Sequence, residues 1–209
     1  MNKHDYCIFY IVRHGRTDWN EKGINTGQLD SSLTKVGEEQ AKIVAIELKD
    51  VHFDAAFSSD LMRARRTAEI IMLERNLAIQ AVQVLRERSY GEFQGKPYKA
   101  TEAYDALVEA LDDKERFSYK SHGVESDDEI VTRLVTFLRE TAIIYKNKTV
   151  LVASHSDIMH KFLIHIGFGT YKNFPLSSVD NAAYVKLASD GVDFFVQETK
   201  RIKKPYTNI

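Results

Sequence analysis

The sequence predicts an α/β fold, a three-layer α/β/α sandwich built around a mostly parallel sheet. Short β-prone runs alternate with stretches whose apolar residues recur at helical spacing, which is typical of strands covered by helices. The β-prone runs are almost continuously apolar, as strands buried on both faces are. The chain has 209 residues, three prolines and no Gly/Ser-rich linker. We therefore expect a single domain over residues 1–209.

The composition narrows the class of protein. Lys and Arg number 29 and Asp and Glu number 30, a net charge of −1. This balance excludes a strongly basic nucleic-acid binder and a strongly acidic disordered chain. Cys7 is the single cysteine, which excludes an internal disulfide and fits a cytoplasmic protein. The apolar run at 6–12 is too short to span a membrane, so no membrane partner is expected.

The predicted elements of the N-terminal half begin with a strand at 7–12. A helix capped by Thr34 follows, because Ala41, Val44 and Leu48 recur on one face. β-prone runs at 53–57 and 79–85 predict two further strands. Between these two runs the pattern predicts another helix, for which Ser59 is the candidate N-cap.

The C-terminal half follows the same alternation. Ser126 and Glu129 form a capping box that predicts the start of a long helix. Residues 149–153 are a buried strand, and the apolar spacing after them predicts a further helix. β-prone runs at 182–187 and 192–196, joined by Ser-Asp-Gly, predict a hairpin.

Polar residues follow three of these strands. Arg13 and His14 follow the first, a Ser-Ser-Asp segment leading to Arg63 follows the second, and His155 follows the strand ending at 153. Ligands of open α/β sheets bind at the carboxyl ends of the strands, where helix N-termini also favour anions. Arginines offer a rigid fork to phosphate oxygens. The sequence therefore predicts a phosphoryl-binding pocket.

Six ordered blocks carry a resemblance to a known family. They are Arg13-His14-Gly15 with Thr17-Asp18-Trp19-Asn20, Thr26-Gly27 with Leu33-Thr34, Ser58 to Ala64, Leu85-Arg86-Glu87 with Tyr90 to Gly95, Gly123 to Ser126, and Ser154-His155. The chain resembles the histidine phosphatase superfamily, which includes the cofactor-dependent phosphoglycerate mutases. The resemblance covers nearly the whole chain and implies a phosphoglycerate mutase-like fold.

The resemblance also implies roles. His14 matches the nucleophile that takes the phosphoryl group, Glu87 the general acid and base, and His155 a second histidine held cationic. The matching substrate-binding positions are Arg13, Asn20, Thr26, Gly27, Arg63 and Ser156. Neither a metal nor another cofactor is expected. His160 and His165 are five residues apart, which is not a common-face spacing, so we interpret them as packing or surface residues.

Two positions depart from the usual family pattern. Arg16 stands where many members have Glu, and Ser156 stands where Gly commonly follows the second histidine. A positive φ at Ser156 would strain the backbone. Glu87 needs a raised pKa to donate a proton near neutral pH, and Arg86 and Arg88 would oppose this if they pointed inward.

The resemblance implies that mutases of the glycolytic type carry a longer insertion between the general acid and the second histidine, so a short segment between Glu87 and His155 favours a phosphatase. His155 follows Glu87 by only 68 positions, and residues 98–123 predict a short helical cap. Lys114, Arg116 and Lys120 in this cap either contact a second anionic group or are solvated. We expect hydrolysis of small phosphorylated metabolites such as sugar phosphates or phosphoglycerates. The alternatives are a phosphoglycerate mutase and a non-catalytic phosphate- or protein-binding module, and the oligomeric state is a monomer or a homodimer.

Overall fold

A computed structural model describes residues 6–206. In this part of the chain six strands form one sheet of order β3-β2-β4-β1-β5-β6. The strands are β1 (Cys7–Arg13), β2 (Ala55–Ser59), β3 (Ile79–Val82), β4 (Thr149–Ser154), β5 (Val179–Ser189) and β6 (Phe194–Ile202). The first four run parallel, and β5 and β6 are antiparallel to their neighbours. The sheet is therefore mostly parallel, as predicted.

Helices cover both faces of the sheet. The α-helices in the described residues are α1 (Asp18–Lys22), α2 (Lys35–Glu47), α3 (Met62–Ile71), α4 (Glu102–Ala110), α5 (Asp113–Ser118), α6 (Asp127–Ile144) and α7 (Ser156–His165). One core packs α6 and α7 on the sheet around Phe9, Leu134 and Phe162. The other packs α2 and α3 around Val12 and Val44. These two cores confirm the three-layer α/β/α architecture.

Several predicted element boundaries are confirmed and others shift. Thr34 caps α2 through Gly37 N, and Ser126 and Glu129 form the capping box of α6. The strand predicted at 79–85 ends at Val82, because the chain tightens into a 3-10 turn over Gln83–Leu85. The hairpin exists, but β5 begins at Val179 and contains an irregularity between Val179 and Tyr184.

The predicted cap of the third helix is wrong. Ser59 ends β2, and α3 begins only at Met62, so Ser59 lies too early to cap it. The carboxylate of Asp30 instead accepts the Met62 N–H at 2.8 Å. This cap comes from a residue 32 positions away, which the local pattern around Ser59 does not indicate.

Short helices occupy the region where the sequence predicts a helical cap. A 3-10 turn over Tyr98–Thr101 precedes α4, and α5 follows. Asp112 caps α5 by accepting from the N–H groups of Lys114 and Glu115. No helix within residues 6–206 has the length and apolar character needed to cross a membrane.

Candidate active site

The parallel pairing of β1 and β4 brings two histidines together. Arg13 at the end of β1 lies opposite Ser154 at the end of β4, and His14 N donates to Ser154 O at 3.1 Å. The next residues, His14 and His155, therefore leave the sheet side by side, with ring centroids 5.3 Å apart. Both rings are buried.

His14 has a defined tautomer. Its Nδ1 lies 2.7 Å from the carbonyl oxygen of Gly15. Because a carbonyl only accepts, Nδ1 carries the hydrogen and Nε2 keeps its lone pair. Burial and the nearby Arg63 and Arg13 lower the pKa of His14 well below its usual value. The ring is therefore neutral near pH 7, the form in which imidazole is a nucleophile.

The guanidinium of Arg63, in the first turn of α3, is held in place by two backbone carbonyl groups. Its Nη1 donates to Leu29 O and its Nη2 to Gly27 O, both at 2.7 Å. The side chain is almost fully buried, and burial lowers its pKa to about 10. The guanidinium stays cationic at neutral pH. Gly27, predicted to bind substrate, contributes here by positioning Arg63.

Other buried nitrogen atoms at this place have no acceptor among the described residues. Arg13 donates through Nη1 to Val179 O at 2.5 Å, but its buried Nε has no partner. Both ring nitrogens of His155 are buried and unpartnered. A neutral imidazole carries one N–H, so this place holds two buried donors without a partner, Arg13 Nε and one ring nitrogen of His155. Buried donors are normally satisfied, so these groups indicate a site for an anion.

The protonation state of His155 in the structure differs from the cationic state that the resemblance implies. Burial and then the positive charge of Arg63 lower the pKa of His155 well below its usual value. The ring is therefore neutral in the unliganded protein. A cationic ring requires the negative charge of a bound phosphoryl group to raise this pKa.

Glu87 lies against the start of α7. Its two carboxylate oxygens accept from the backbone N–H groups of Arg88, Asp157 and Ile158 at 3.0–3.2 Å. Burial and the negative charge of Asp157 nevertheless raise the pKa of Glu87, as the acid role requires.

The two arginines beside Glu87 do not pair with it in the described structure. Arg86 forms a bidentate pair with Asp60. Arg88 points inward but pairs with Asp127 and Asp157. The positive charges next to Glu87 in sequence are thus largely neutralised by other carboxylates.

The two departures from the family pattern behave differently. Ser156 is the first residue of α7 and has no positive φ, so the conditional expectation of backbone strain does not apply. Its Oγ donates to Glu87 Oε2 at 3.4 Å. Arg16 faces solvent, with its side chain 49% exposed and Glu21 4.0 Å away.

One cavity of about 900 Å³ joins the two ends of the site. The cavity is lined by His14, Glu87 and Ser156. It is also lined by the other predicted binding residues, which are Arg13, Asn20, Thr26, Gly27 and Arg63. His155 is buried directly beside His14. Asn20 is held by Asn181, whose Nδ2 lies 3.2 Å from Asn20 Oδ1. Sequence reasoning missed Asn181, which lies where β5 departs from a regular strand.

The far end of the cavity is formed by the short helices and by α7. Arg116 lies over the ring of Tyr171 at 4.2 Å, whereas Lys114 and Lys120 are exposed and do not line the cavity. Lys161, which was not predicted from the sequence, is buried, and its Nζ lies 3.3 Å from a carboxylate oxygen of Asp127.

The two histidines of α7 pack against aromatic rings. His160 packs against Phe174, and His165 stacks on Phe117, in agreement with the predicted packing role. Within residues 6–206 no three His, Cys, Asp or Glu side chains are grouped to hold a metal.

Comparison with known proteins agrees with this geometry. Residues 9–201 match the family description "histidine phosphatase superfamily (branch 1)". The chain belongs to this superfamily. Both activities of the family occur among relatives of similar identity. A 2,3-bisphosphoglycerate-dependent phosphoglycerate mutase of Cytophaga hutchinsonii is 31% identical over 164 residues, covering 76% of each chain. A metal-independent phosphoserine phosphatase of Arabidopsis thaliana is 33% identical over 164 residues, 75% of this chain and 67% of that protein.

The fold is also that of solved histidine phosphatase superfamily structures. The crystal structure of phosphoglycerate mutase from Bacillus anthracis superposes with a TM-score of 0.79 at 22% identity and covers 92% of both chains. This likeness shows the phosphoglycerate mutase-like fold predicted from the sequence. As a histidine phosphatase superfamily member, the protein is an enzyme of the phosphatase and mutase group.

Proposed function

We propose that this histidine phosphatase superfamily member is a metal-independent phosphomonoester hydrolase that works through a phosphohistidine on His14. One observation carries the proposal. The Nδ1–H of His14 is committed to Gly15 O, which leaves Nε2 free on a ring that feels the charges of Arg63 and Arg13 and lies beside the unpartnered His155. A neutral nucleophile beside fixed positive charge suits attack on a phosphoryl group.

The reaction has two balanced steps. In the first, Nε2 of His14 forms a bond to phosphorus while the ester P–O bond breaks, and Glu87 gives its proton to the leaving oxygen. In the second, the Glu87 carboxylate takes a proton from water as the water oxygen attacks phosphorus. The N–P bond breaks, inorganic phosphate leaves and His14 is regenerated. Arg13, Arg63 and His155 hold the phosphoryl oxygens in both steps.

Two features support hydrolysis over phosphoryl transfer between substrate positions. His155 follows Glu87 by 68 positions, and the intervening residues over the cavity form only a 3-10 turn and the short helices α4 and α5. A mutase must keep water from its phosphohistidine, which requires a more extensive cover. The cavity of about 900 Å³ is instead wide enough to admit water beside a small substrate.

The substrate class is small phosphorylated metabolites, including sugar phosphates, phosphoglycerates and phosphorylated amino acids such as phosphoserine. Arg116 supports those that carry a second anionic group, because it lines the cavity and none of the described carboxylates forms a salt bridge with it. Inorganic phosphate release from an aryl phosphate and a panel of these metabolites, at pH 5–8 in chelator, tests the proposal. The wild type is compared with His14→Ala.

The outcomes distinguish the three functional hypotheses, a hydrolase, a mutase and a binding module. Turnover in chelator that is lost in His14→Ala supports the hydrolase. Phosphoglycerate isomerisation far faster than hydrolysis would establish the mutase. Tight binding of phosphate esters without turnover at any pH would establish the binding module.

A further inference from the structure

The position of Glu87 presents a conflict for its proposed role. A helix N-terminus stabilises a negative charge, and the start of α7 donates two N–H bonds to the Glu87 carboxyl, from Asp157 and Ile158. These bonds favour the carboxylate. The first step of the proposed reaction, however, needs the protonated acid. Burial of the Glu87 carboxyl acts against the helix, and a negative charge close to it would add to that effect.

Asp157 lies next to Glu87, where its negative charge can oppose the effect of the helix N-terminus. Its backbone N–H donates to Glu87 Oε2 at 3.2 Å, and its side chain is 5% exposed. The carboxylate is held by the Arg88 Nε at 2.6 Å and by the Tyr90 hydroxyl, which donates to Oδ2 at 3.0 Å. A fixed, buried negative charge therefore sits on the same helical turn that binds Glu87.

We propose that Asp157 is a positioning residue for Glu87, holding the carboxyl on α7 through its N–H while its own charge keeps that carboxyl able to carry a proton. The inference rests on the proposed function in so far as Glu87 is the acid. It adds a residue outside the predicted set. Within α7, one residue then supplies both one of the hydrogen bonds to Glu87 and the opposing charge.

The electrostatic surroundings agree with this assignment. Burial, and next the charge of Asp157, raise the pKa of Glu87, while the Arg88 and Asp157 N–H groups and Arg63 lower it. The other titratable or charged groups facing Glu87 come from its own segment, β1, α3 and α6. They are Arg88, Tyr90, Arg13, Arg63 and Arg133.

The test is a ¹³C NMR titration of the Glu87 carboxyl in protein labelled at glutamate, with the signal assigned by Glu87→Gln. In Asp157→Asn the Glu87 pKa is expected to fall by about one unit, because a like charge is lost. Asp127→Asn is the matched control. It also removes a partner of Arg88 but makes no contact with Glu87, so the Glu87 titration should stay in place. Asp157→Ser serves if the asparagine variant does not fold.

A kinetic measurement accompanies the titration. Since the acid form is needed, the fall of kcat/KM toward high pH for an alkyl phosphate should move to lower pH in Asp157→Asn. An unchanged Glu87 titration in the Asp157 variants, or an equal shift in Asp127→Asn, would overturn the proposal. Full activity of Glu87→Gln on the alkyl phosphate would instead reject the acid role, while the titration still decides what Asp157 does.

Discussion

Arg116 is the side chain that we propose to bind the part of a substrate beyond its phosphoryl group. It stacks on Tyr171 at 4.2 Å, its Nε is buried, and no described side chain accepts from it. Lys114 and Lys120 share its helical region but do not line the cavity. The sequence could not separate these three cations, because their directions depend on how α5 packs on α6 and α7.

Replacing Arg116 with Gln should raise KM for a substrate with a second anionic group by about tenfold, since a charge-assisted hydrogen bond is lost. KM for an aryl monophosphate should stay nearly constant. Steady-state kinetics on both substrates measure the difference. Lys114→Gln is the matched control, and equal effects of the two variants would exclude a specific role for Arg116.

Arg16, unlike Arg116, is a cationic residue that does not line the cavity. Its side chain is 49% exposed and its weak partner is Glu21 at 4.0 Å. We expect Arg16→Glu, which restores the residue common in the family, to change kcat/KM for an aryl phosphate by less than about twofold, because exposed charges are screened by solvent. Steady-state kinetics at physiological salt check this. A change of tenfold or more would place Arg16 in contact with the substrate.

The helix caps differ in how far the capping residue lies from the helix in sequence. The caps of α2 and α6 come from adjacent residues, so Thr34 and Ser126 could be predicted. The cap of α3 comes from Asp30, which reaches Met62 only after the chain has folded. This contact also lies next to Arg63, the second residue of α3.

Asp30→Ala should lower the free energy of unfolding by about 1 kcal/mol, as loss of a helix cap does. Thermal unfolding should show a fall in Tm of about 2–4 °C. Asp30→Asn keeps an acceptor oxygen and should cost less than Asp30→Ala. If the asparagine variant is as unstable as the alanine variant, the cap at Met62 N is not what Asp30 contributes.

For the whole molecule, burial of neutral histidines couples folding to pH. The pKa values of His14 and His155 lie well below their usual value, and burial lowers that of His160 to about 4. An unfolded histidine takes up a proton below about pH 6.5, whereas these buried ones do not. Unfolding therefore binds protons at these three rings, and the stability that they contribute is lost as pH drops from 6.5 toward their folded pKa values.

Urea unfolding between pH 4.5 and 7.5 measures this effect. Stability should be constant above about pH 7 and decline below about pH 6.5. His160→Gln removes one of the three groups and should make the decline shallower. His52→Gln is the matched control, because the His52 side chain is 88% exposed. The same pH dependence in the wild type and in His160→Gln would show that the His160 ring is not buried as a neutral group.

The architecture and the meeting of the strand ends at the candidate site could be predicted because they follow from neighbours in sequence. Arg13 ends β1, and His14 and His155 come directly after β1 and β4, whose parallel pairing places these strand ends together. Asp157, Lys161 and Tyr171 could not be predicted, since their importance comes from a buried charge network that crosses α6, α7 and the loop after α7. Asn181 escaped prediction because β5 is irregular where it approaches Asn20.

The measurement that tests the central claim most directly is trapping of the covalent intermediate. Protein mixed with a ³²P-labelled phosphate ester in chelator is quenched within the first turnover and digested. We expect label on the peptide that contains His14, stable to base and released by acid, as a phosphohistidine is, and none in His14→Ala. Turnover without any labelled peptide, or label that persists in His14→Ala, would contradict the account.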